Sequence, residues 1–275
     1  MGQPMVKRLH DTGFQVCAYN RSISRLTPLE SFALCTTEVT QAIQYSDILI
    51  MMVSDYDAID SVIAQQSLVG KTLLQMGTIA PEQSRQLATQ VQANGGRYVE
   101  APVLGSIPEV ASGSLLIMLG GESADIEPCR PVLSQLGKSI RHLGAVGQAA
   151  AVKLALNQLI AALTTAFSTT LAFLQEEGSD IEGFMGILRE SALYAPTFDK
   201  KLAKMQSRDF AQANFPLQHL LKDVSLFLQA AAPHPIDTRM LKSIQQLLEA
   251  ALPTEAEHDY SAVYTAVHPR FSYNA

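Results

Sequence analysis

The chain has 275 residues, of which 47% are apolar and 17% charged, and its formal net charge is −6. The charged share is below the ~25% typical of soluble domains, so the composition excludes a disordered chain and predicts a large buried area, while the length favours two domains. A groove that binds nucleic acid is unexpected, because such grooves carry excess basic residues to neutralise phosphates.

The cysteines and the first residues indicate the compartment. Cys17, Cys35 and Cys129 lie in or beside apolar stretches and have no paired spacing. They predict reduced, packed thiols in a cytoplasmic protein, with no metal site and no disulfide framework. The chain does not open on a basic region followed by an apolar run, so the sequence predicts no signal peptide.

The chain opens on a helical pattern and not on a strand. Residues 1–9 predict a helix, and the first apolar run follows Gly13. A dinucleotide-binding fold normally begins with a strand and a G-x-G-x-x-G turn, of which only Gly2 is present here. An ordinary helix at the start of an ordinary domain is the alternative interpretation.

The rest of the first half alternates apolar runs with helical patterns. Apolar residues at consecutive positions are typical of strands that are covered on both faces. The predicted strands cover residues 14–20, 47–53, 71–77, 96–103, 115–120 and 139–143. Helices are predicted to begin near Pro81 and Ser123, where proline, a capping residue and acidic residues mark helix starts. The alternation predicts a Rossmann-like, doubly wound α/β domain with a mostly parallel sheet over residues 1–146.

After about residue 145 the pattern becomes helical only. The predicted helices cover residues 147–176, 180–194, 216–232, 236–252 and 259–267, so residues 147–275 form an all-helical domain that includes a long connecting helix. Residues 154–175 carry no charge, which is long enough to cross a bilayer. Polar residues spread around that helix favour burial between protein surfaces instead. No membrane partner is therefore predicted.

Two segments of the first half have residues suited to binding. Asn20-Arg21-Ser22 follows a predicted strand that ends without an acidic residue, and an arginine there can pair with the 2′-phosphate of NADP. A solvated surface charge is the alternative. The turn from Glu100 to Ser106 ends in small residues whose backbone N–H groups can bind a carboxylate, although a plain strand-to-helix turn explains it equally.

Lys153 is the only charged residue from position 142 to 175, and Asn157 lies on the same helical face. A lysine in apolar surroundings costs free energy unless it has a partner or a chemical task, so this pattern predicts a functional lysine. A lysine that reaches solvent from the edge of the helix is the alternative. The adjacent Lys222 and Asp223 are interpreted by default as a solvated pair.

In order along the chain, these motifs resemble those of the β-hydroxyacid dehydrogenase family, which includes the 3-hydroxyisobutyrate dehydrogenases. The resemblance covers essentially the whole chain. The similar segments are Met1-Gly2-Gln3-Pro4-Met5, Asn20-Arg21-Ser22, Met51–Asp55, Met76–Thr78, Glu100–Ser106, 147–157, Lys222-Asp223 and Asp259–Ala262. It implies an NAD(P)-dependent oxidoreductase that acts on CH–OH groups, with a helical domain like that of 6-phosphogluconate dehydrogenase.

The resemblance also implies roles for individual residues. Lys153 would be the general acid that protonates the carbonyl oxygen, and Asn157 would hydrogen-bond the lysine or the substrate. The implied cofactor-binding residues are Gly2, Gln3, Pro4, Met5, Asn20, Arg21, Ser22, Met52, Val53, Ser54, Thr78 and Lys222. The implied substrate-binding residues are Leu104, Gly105, Ser106, Phe215 and Asp223.

The implied reaction is the NADPH-dependent reduction of a small carboxylate-bearing aldehyde or keto acid, of the succinic semialdehyde or glyoxylate type, to the hydroxy acid. NAD stays open as a cofactor. A 3-hydroxyisobutyrate or tartronate-semialdehyde type of dehydrogenase is one alternative, and a non-catalytic scaffold with a decayed nucleotide site is another. A homodimer or tetramer through the helical domain is expected.

The sequence departs from the family pattern in two places. Leu104 replaces a serine whose hydroxyl contacts substrate, which would leave carboxylate capture to the backbone near Gly105 and to Ser106. The first strand and first glycines are missing, so we hypothesise that Met1 is an internal methionine of a longer protein, with about ten preceding residues that complete the strand and turn. The alternative is that this chain binds the dinucleotide poorly.

Overall fold

The computed structural model describes residues 1–269. The chain forms two compact units, Met1–Leu154 and a second unit from Ala155 onward. The division lies inside one long helix, seven residues after its first residue, Gln148. The domain limits predicted from the sequence, 1–146 and 147–275, stay a prediction.

Within residues 1–269, every strand belongs to the first unit. They are β1 Cys17–Tyr19, β2 Leu34–Thr36, β3 Ile48–Met51, β4 Thr72–Gln75, β5 Arg97–Glu100, β6 Val103–Leu104, β7 Leu115–Leu119 and β8 Gly137–His142. They form three short sheets in the orders β1-β2, β3-β4-β5 and β6-β7-β8. All strand pairs are parallel except β6 with β7.

The helices of the first unit alternate with these strands. They are α1 Gly2–Asp11, α2 Val39–Tyr45, α3 Tyr56–Ile63, α4 Pro81–Ala93, α5 Ile107–Ala111, α6 Ser123–Ile126 and α7 Arg130–Leu136, with short 3₁₀ turns at Ile23–Arg25, Thr27–Leu29 and Glu127–Cys129. In α1, Met5 and Leu9 are one turn apart and both buried, which fixes the inner face of that helix.

The rest of the described chain is helical. α8 Gln148–Glu176 begins in the first unit, and the second unit continues with α9 Ile181–Glu190, α10 Pro196–Ser207, α11 Leu217–Ala231, α12 Arg239–Glu255, a 3₁₀ turn at Tyr260–Val263 and α13 Tyr264–Val267. The predicted class, a Rossmann-like α/β domain followed by a long helix and an all-α domain, is confirmed. Among residues 1–269, α8 is the one helix long and apolar enough to cross a membrane, a test that core helices of soluble proteins also pass.

Three details of the prediction are wrong. The predicted strand 96–103 is two strands, because Pro102 has no N–H to continue a ladder. The β2 strand was not predicted, because only three residues pair and the first, Leu34, is exposed. The α10 helix was also not predicted, although the spacing of its buried residues Phe198, Leu202 and Met205 is helical.

A cavity of about 720 Å³ lies in the first unit between β1 and β3. Its lining includes the residues of both strands and the start of α1, and most of the lining side chains are apolar. In the described part of the chain, no ladder joins β1 to β3, so each strand has one unpaired edge there. The parallel sheet is therefore interrupted between β1 and β3.

Candidate active site

Lys153 lies in the second turn of α8 and is half-buried. Its neighbours Ala149, Ala150 and Leu154 are buried. The single positive charge of this stretch therefore lies at the margin of an apolar core, and its functional role stays a prediction.

Asn157 follows one turn later on α8 and is 1% exposed. Its Nδ2 donates a hydrogen bond to Oδ2 of Asp223 at 2.5 Å, within the second unit. Lys222 Nζ lies 2.8 Å from the other carboxylate oxygen of Asp223. The default interpretation of Lys222 and Asp223 as a solvated pair is wrong, because Asp223 is 2% exposed and holds a buried amide.

Phe215 forms part of the apolar core of the second unit. It is half-buried, its ring meets the Tyr260 ring edge-on at 5.7 Å between centroids, and its carbonyl accepts the Tyr260 N–H at 3.0 Å. The neighbouring Asp259 is buried, and Lys201 Nζ donates to both of its oxygens at 2.8 Å. The Asp259–Ala262 segment therefore packs against Phe215 and holds it in place in the apolar core of the second unit.

The candidate substrate turn follows β6. Leu104 is half-buried and pairs with Leu116 of β7. Gly105 has φ +134°, and a Cβ there would lie 2.7 Å from Leu115 Cδ2, so this position requires glycine.

Ser106 ends the turn and begins α5. Its N–H and its hydroxyl both donate to the Glu109 carboxylate at 2.8 Å. Glu109 thus uses both donors of Ser106 in this structure, and the capture of a substrate carboxylate by Ser106 stays a prediction. The S-x-x-E spacing of a capping box is the sequence signal that identifies this contact.

The buried carboxylate of Glu100 contacts the start of α8, the helix that carries Lys153 and is called the lysine helix below. The sequence pattern placed Glu100 only within the turn 100–106. Glu100, the last residue of β5, is 2% exposed and accepts the backbone N–H groups of Gly147 at 2.7 Å and Ala149 at 3.2 Å. Burial raises the pKa of this carboxyl, while those bonds, one from Ala150 N–H and one from the Ser84 hydroxyl lower it. Spacing gives no signal for the contact, because donor and acceptor are 47 or more residues apart.

The predicted cofactor-binding residues lie in two groups of the first unit, except Lys222, which lies in α11 of the second unit. The first is the start of α1, from Gly2 to Met5, where Met1 provides no side-chain cap and no heavy atom lies within 4 Å of a Cβ placed on Gly2. Within this group, Gln3 Nε2 donates to the Arg25 carbonyl at 2.9 Å.

The second group lies at carboxyl ends of parallel strands, where open α/β sheets bind ligands. Asn20, Arg21 and Ser22 follow β1 and are exposed, and Asn20 Oδ1 accepts the Ser22 N–H at 2.9 Å. The others are Met52, Val53 and Ser54 after β3 and Thr78 after β4. An uncapped helix start and an exposed arginine fit a dinucleotide with several phosphates.

Two further observations concern the loop after β3 and metals. Ser54 Oγ donates to Asp55 at 2.6 Å, and Asp55 accepts the Ala58 N–H at 2.9 Å, which fixes the start of α3. The Val53 carbonyl would lie 2.9 Å from a Cβ on Gly77, so the loops after β3 and β4 approach closely.

Over residues 1–269, no group of three or more His, Cys, Asp or Glu residues could hold a metal ion.

Comparisons with known proteins agree with this fold. Residues 1–144 match the NAD binding domain of 6-phosphogluconate dehydrogenase, and residues 147–267 match the NAD-binding region of NADP-dependent 3-hydroxyisobutyrate dehydrogenase. Glyoxylate/succinic semialdehyde reductase 1 of Arabidopsis thaliana is 30% identical over 275 residues, which cover 97% of this chain and 95% of the relative.

Two further proteins are similar along nearly their whole length. 2-Hydroxy-3-oxopropionate reductase of Escherichia coli is 31% identical over 278 residues, covering 97% of this chain and 94% of the relative. The solved structure of Mycobacterium tuberculosis 3-hydroxyisobutyrate dehydrogenase has a TM-score of 0.88 at 19% identity, covering 97% of this chain and 95% of that one.

The fold and these matches define an NAD(P)-dependent oxidoreductase that acts on CH–OH groups. The chain belongs to the β-hydroxyacid dehydrogenase family, of the 3-hydroxyisobutyrate dehydrogenase type.

Proposed function

We propose that this protein uses NADPH to reduce a small aldehyde or keto acid of the succinic semialdehyde or glyoxylate type to the hydroxy acid. The observation that carries the proposal is Lys153, the single charged residue in the apolar first turns of α8, whose side chain is half-buried. The names of the two Arabidopsis thaliana relatives, 30% and 28% identical, support the substrate class.

The chemistry assigned to this chain is a proton transfer. The bound dinucleotide supplies the hydride. The carbonyl oxygen gains negative charge as the bond order falls, and the Lys153 ammonium stabilises that charge and donates the proton. In the reverse direction, the neutral Lys153 amine accepts it. The buried neighbours Ala149, Ala150 and Leu154 lower the local dielectric on one side of the lysine, which strengthens this electrostatic effect.

The residues that would hold the cofactor are those of the two groups described above, together with Lys222. In this proposal, Asp223 orients the Asn157 amide, and Phe215 forms an apolar wall. Leu104 and the Glu109-bound Ser106 leave few donors for a carboxylate beside the reacting carbonyl, which favours an acid longer than glyoxylate. A substrate of the succinic semialdehyde type meets that condition.

The test is NADPH consumption by the purified chain with succinic semialdehyde, glyoxylate and tartronate semialdehyde, and NADP reduction with 3-hydroxyisobutyrate. The highest kcat/KM is expected for succinic semialdehyde. A higher kcat/KM for tartronate semialdehyde or 3-hydroxyisobutyrate would contradict the proposed substrate class and favour the class of that substrate. A folded protein that turns over none of them and binds no dinucleotide would be the non-catalytic scaffold.

Cofactor choice gives the first testable prediction. Arg21 and Ser22 are exposed at the end of β1, where the strand end has no acidic residue. A charged hydrogen bond to the 2′-phosphate contributes about 1.5–3 kcal/mol, so Arg21→Ala should lower kcat/KM for NADPH by roughly 10- to 150-fold. The value for NADH should stay the same. Arg141→Ala, an exposed arginine on β8, is the control, and a wild-type preference for NADH would contradict the assignment.

The exposed face of α8 supports a proposed homo-oligomer. Leu159 is 52% exposed, Leu163 38% and Phe173 62%, and with Ala166 and Thr170 they repeat at the alternating four- and three-residue steps of a coiled-coil seam. The polar residues Asn157, Thr164, Thr165 and Ser168 lie instead on the buried side. We propose that a second copy covers this seam through the helical domain, in a cytoplasmic protein with no nucleic-acid or membrane partner.

Leu163→Glu should therefore dissociate the oligomer. Two-fold pairing would bury the new charge and its copy together, which is costly without a partner charge. Light scattering coupled to size exclusion should show a shift to monomer, with a dissociation constant raised by about 100-fold or more. Leu193→Glu is the matched control, because Leu193 is 78% exposed outside α8. A wild-type monomer at micromolar concentration would contradict the seam.

A further inference from the structure

We infer that Glu100 is the positioning residue for Lys153, an inference that rests on the proposed role of Lys153 as general acid. The Glu100 carboxylate is buried and accepts backbone N–H groups from the first residues of α8. The first N–H groups of a helix have no acceptor within the helix, and the helix dipole makes that end partly positive. The Glu100 carboxylate, from another part of the chain, thus provides both a hydrogen-bond acceptor for these N–H groups and a negative charge at the positive end of the lysine helix.

The contact of Glu100 with the start of α8 also determines the position of Lys153. Lys153 follows Ala149 by four residues, so its side chain leaves α8 one turn above the N–H that Glu100 accepts at 3.2 Å. A tilt or a frayed first turn would therefore move the ammonium group. Catalysis is sensitive to such movement, because a displacement of ~1 Å can cost about 100-fold in rate.

Glu100 also fixes the segment on which the substrate turn begins. It is the last residue of β5, and Ala101 starts the connection to β6 and Gly105. Its backbone exchanges two hydrogen bonds with Gly120, at 2.9 and 3.1 Å. A Cβ on Gly120 would collide with Glu100 Oε2, so glycine at position 120 leaves room for the Glu100 carboxylate. The same residue therefore sets the position of the turn and of the lysine helix.

Two variants of the full chain test the inference. Glu100→Gln keeps the size of the side chain and removes its charge, and Gly120→Ala displaces the carboxylate without removing it. Asp180→Asn is the matched control, because Asp180 accepts the Glu182 N–H at the start of α9, a helix without the candidate lysine. Each variant is also made in the Lys153→Ala background, and melting temperatures show whether each one folds.

The first readout does not need turnover. Acylation of Lys153 by an amine reagent is followed by mass spectrometry over a pH series, with the exposed Lys138 as internal reference. Both test variants should change the relative labelling rate of Lys153 by at least about threefold and speed amide exchange at the start of α8, whereas Asp180→Asn should change neither. Unchanged labelling and exchange in folded Glu100→Gln would overturn the inference.

The second readout is turnover. Glu100→Gln should lower kcat by about 10- to 100-fold when Lys153 is present and by less than threefold in the Lys153→Ala background, because coupled residues are not additive. An equal loss in both backgrounds would mean a general structural role and would overturn the inference. Altered labelling in a chain that shows no turnover on any substrate would reject the proposed function while supporting the positioning role.

Discussion

Lys153→Ala is expected to lower kcat by about 10²–10⁴-fold, the usual contribution of a general acid. Lys153 is the single charge of the first four turns of α8, and its neighbours Ala149, Ala150 and Leu154 are buried. Removal of the ammonium leaves the developing oxyanion without its proton donor. Steady-state NADPH oxidation with the best substrate of the panel measures the effect.

Controls separate chemistry from folding. Lys138→Ala removes an exposed lysine of β8 and should leave kcat unchanged. Lys153→Arg keeps a positive charge but exchanges protons poorly, because the guanidinium pKa is above ~12, so its kcat should stay low. The melting temperature of Lys153→Ala, measured beside that of the wild type, shows whether the variant folds. Unchanged turnover in folded Lys153→Ala would remove Lys153 from the mechanism.

The fold was predictable from the sequence where local chemistry determines it. Apolar runs predicted most of the strands, of which β4, β5 and β7 are largely buried, and prolines and acidic residues predicted the helix starts. The sequence did not show which strands pair with each other. Only Pro102 marks the point at which one predicted strand becomes the parallel β5 and the antiparallel β6, and no local pattern reports which strand each of them joins.

Candidate residues could be chosen from the sequence, but the contacts between them could not be predicted from it. Lys153 and Arg21 could be singled out because each departs from its local surroundings. By contrast, the hydrogen bond from Asn157 to Asp223 joins residues 66 positions apart, and burial of that aspartate depends on the helical packing. Glu100 is the clearest case, because its partners in α8 follow only from the folded chain.

The cavity between β1 and β3 leads to the second large expected effect. Interiors are close-packed, and an engineered apolar void of ~150 Å³ is already a large defect. Here about 720 Å³ separates two strands that each have an unpaired edge. One parallel strand between them would pair both edges and bury its side chains on both faces of the sheet. The net gain, on the order of 3 kcal/mol after backbone ordering, corresponds to about 6–12 °C for a unit of this size.

A segment of about six β-branched residues followed by a G-x-G turn, joined ahead of Met1, should therefore raise the melting temperature by that amount. It should also tighten NADPH binding by about 10²–10⁴-fold, because the turn adds N–H donors for the pyrophosphate at the start of α1 and each charged hydrogen bond contributes about 1.5–3 kcal/mol. Calorimetry measures the binding and thermal unfolding the stability. A Gly/Ser segment of equal length is the matched control, because it forms no strand. If the 275-residue chain equals the extended one in both measurements, the unpaired edges need no strand, and the cavity is a tolerated feature of this fold.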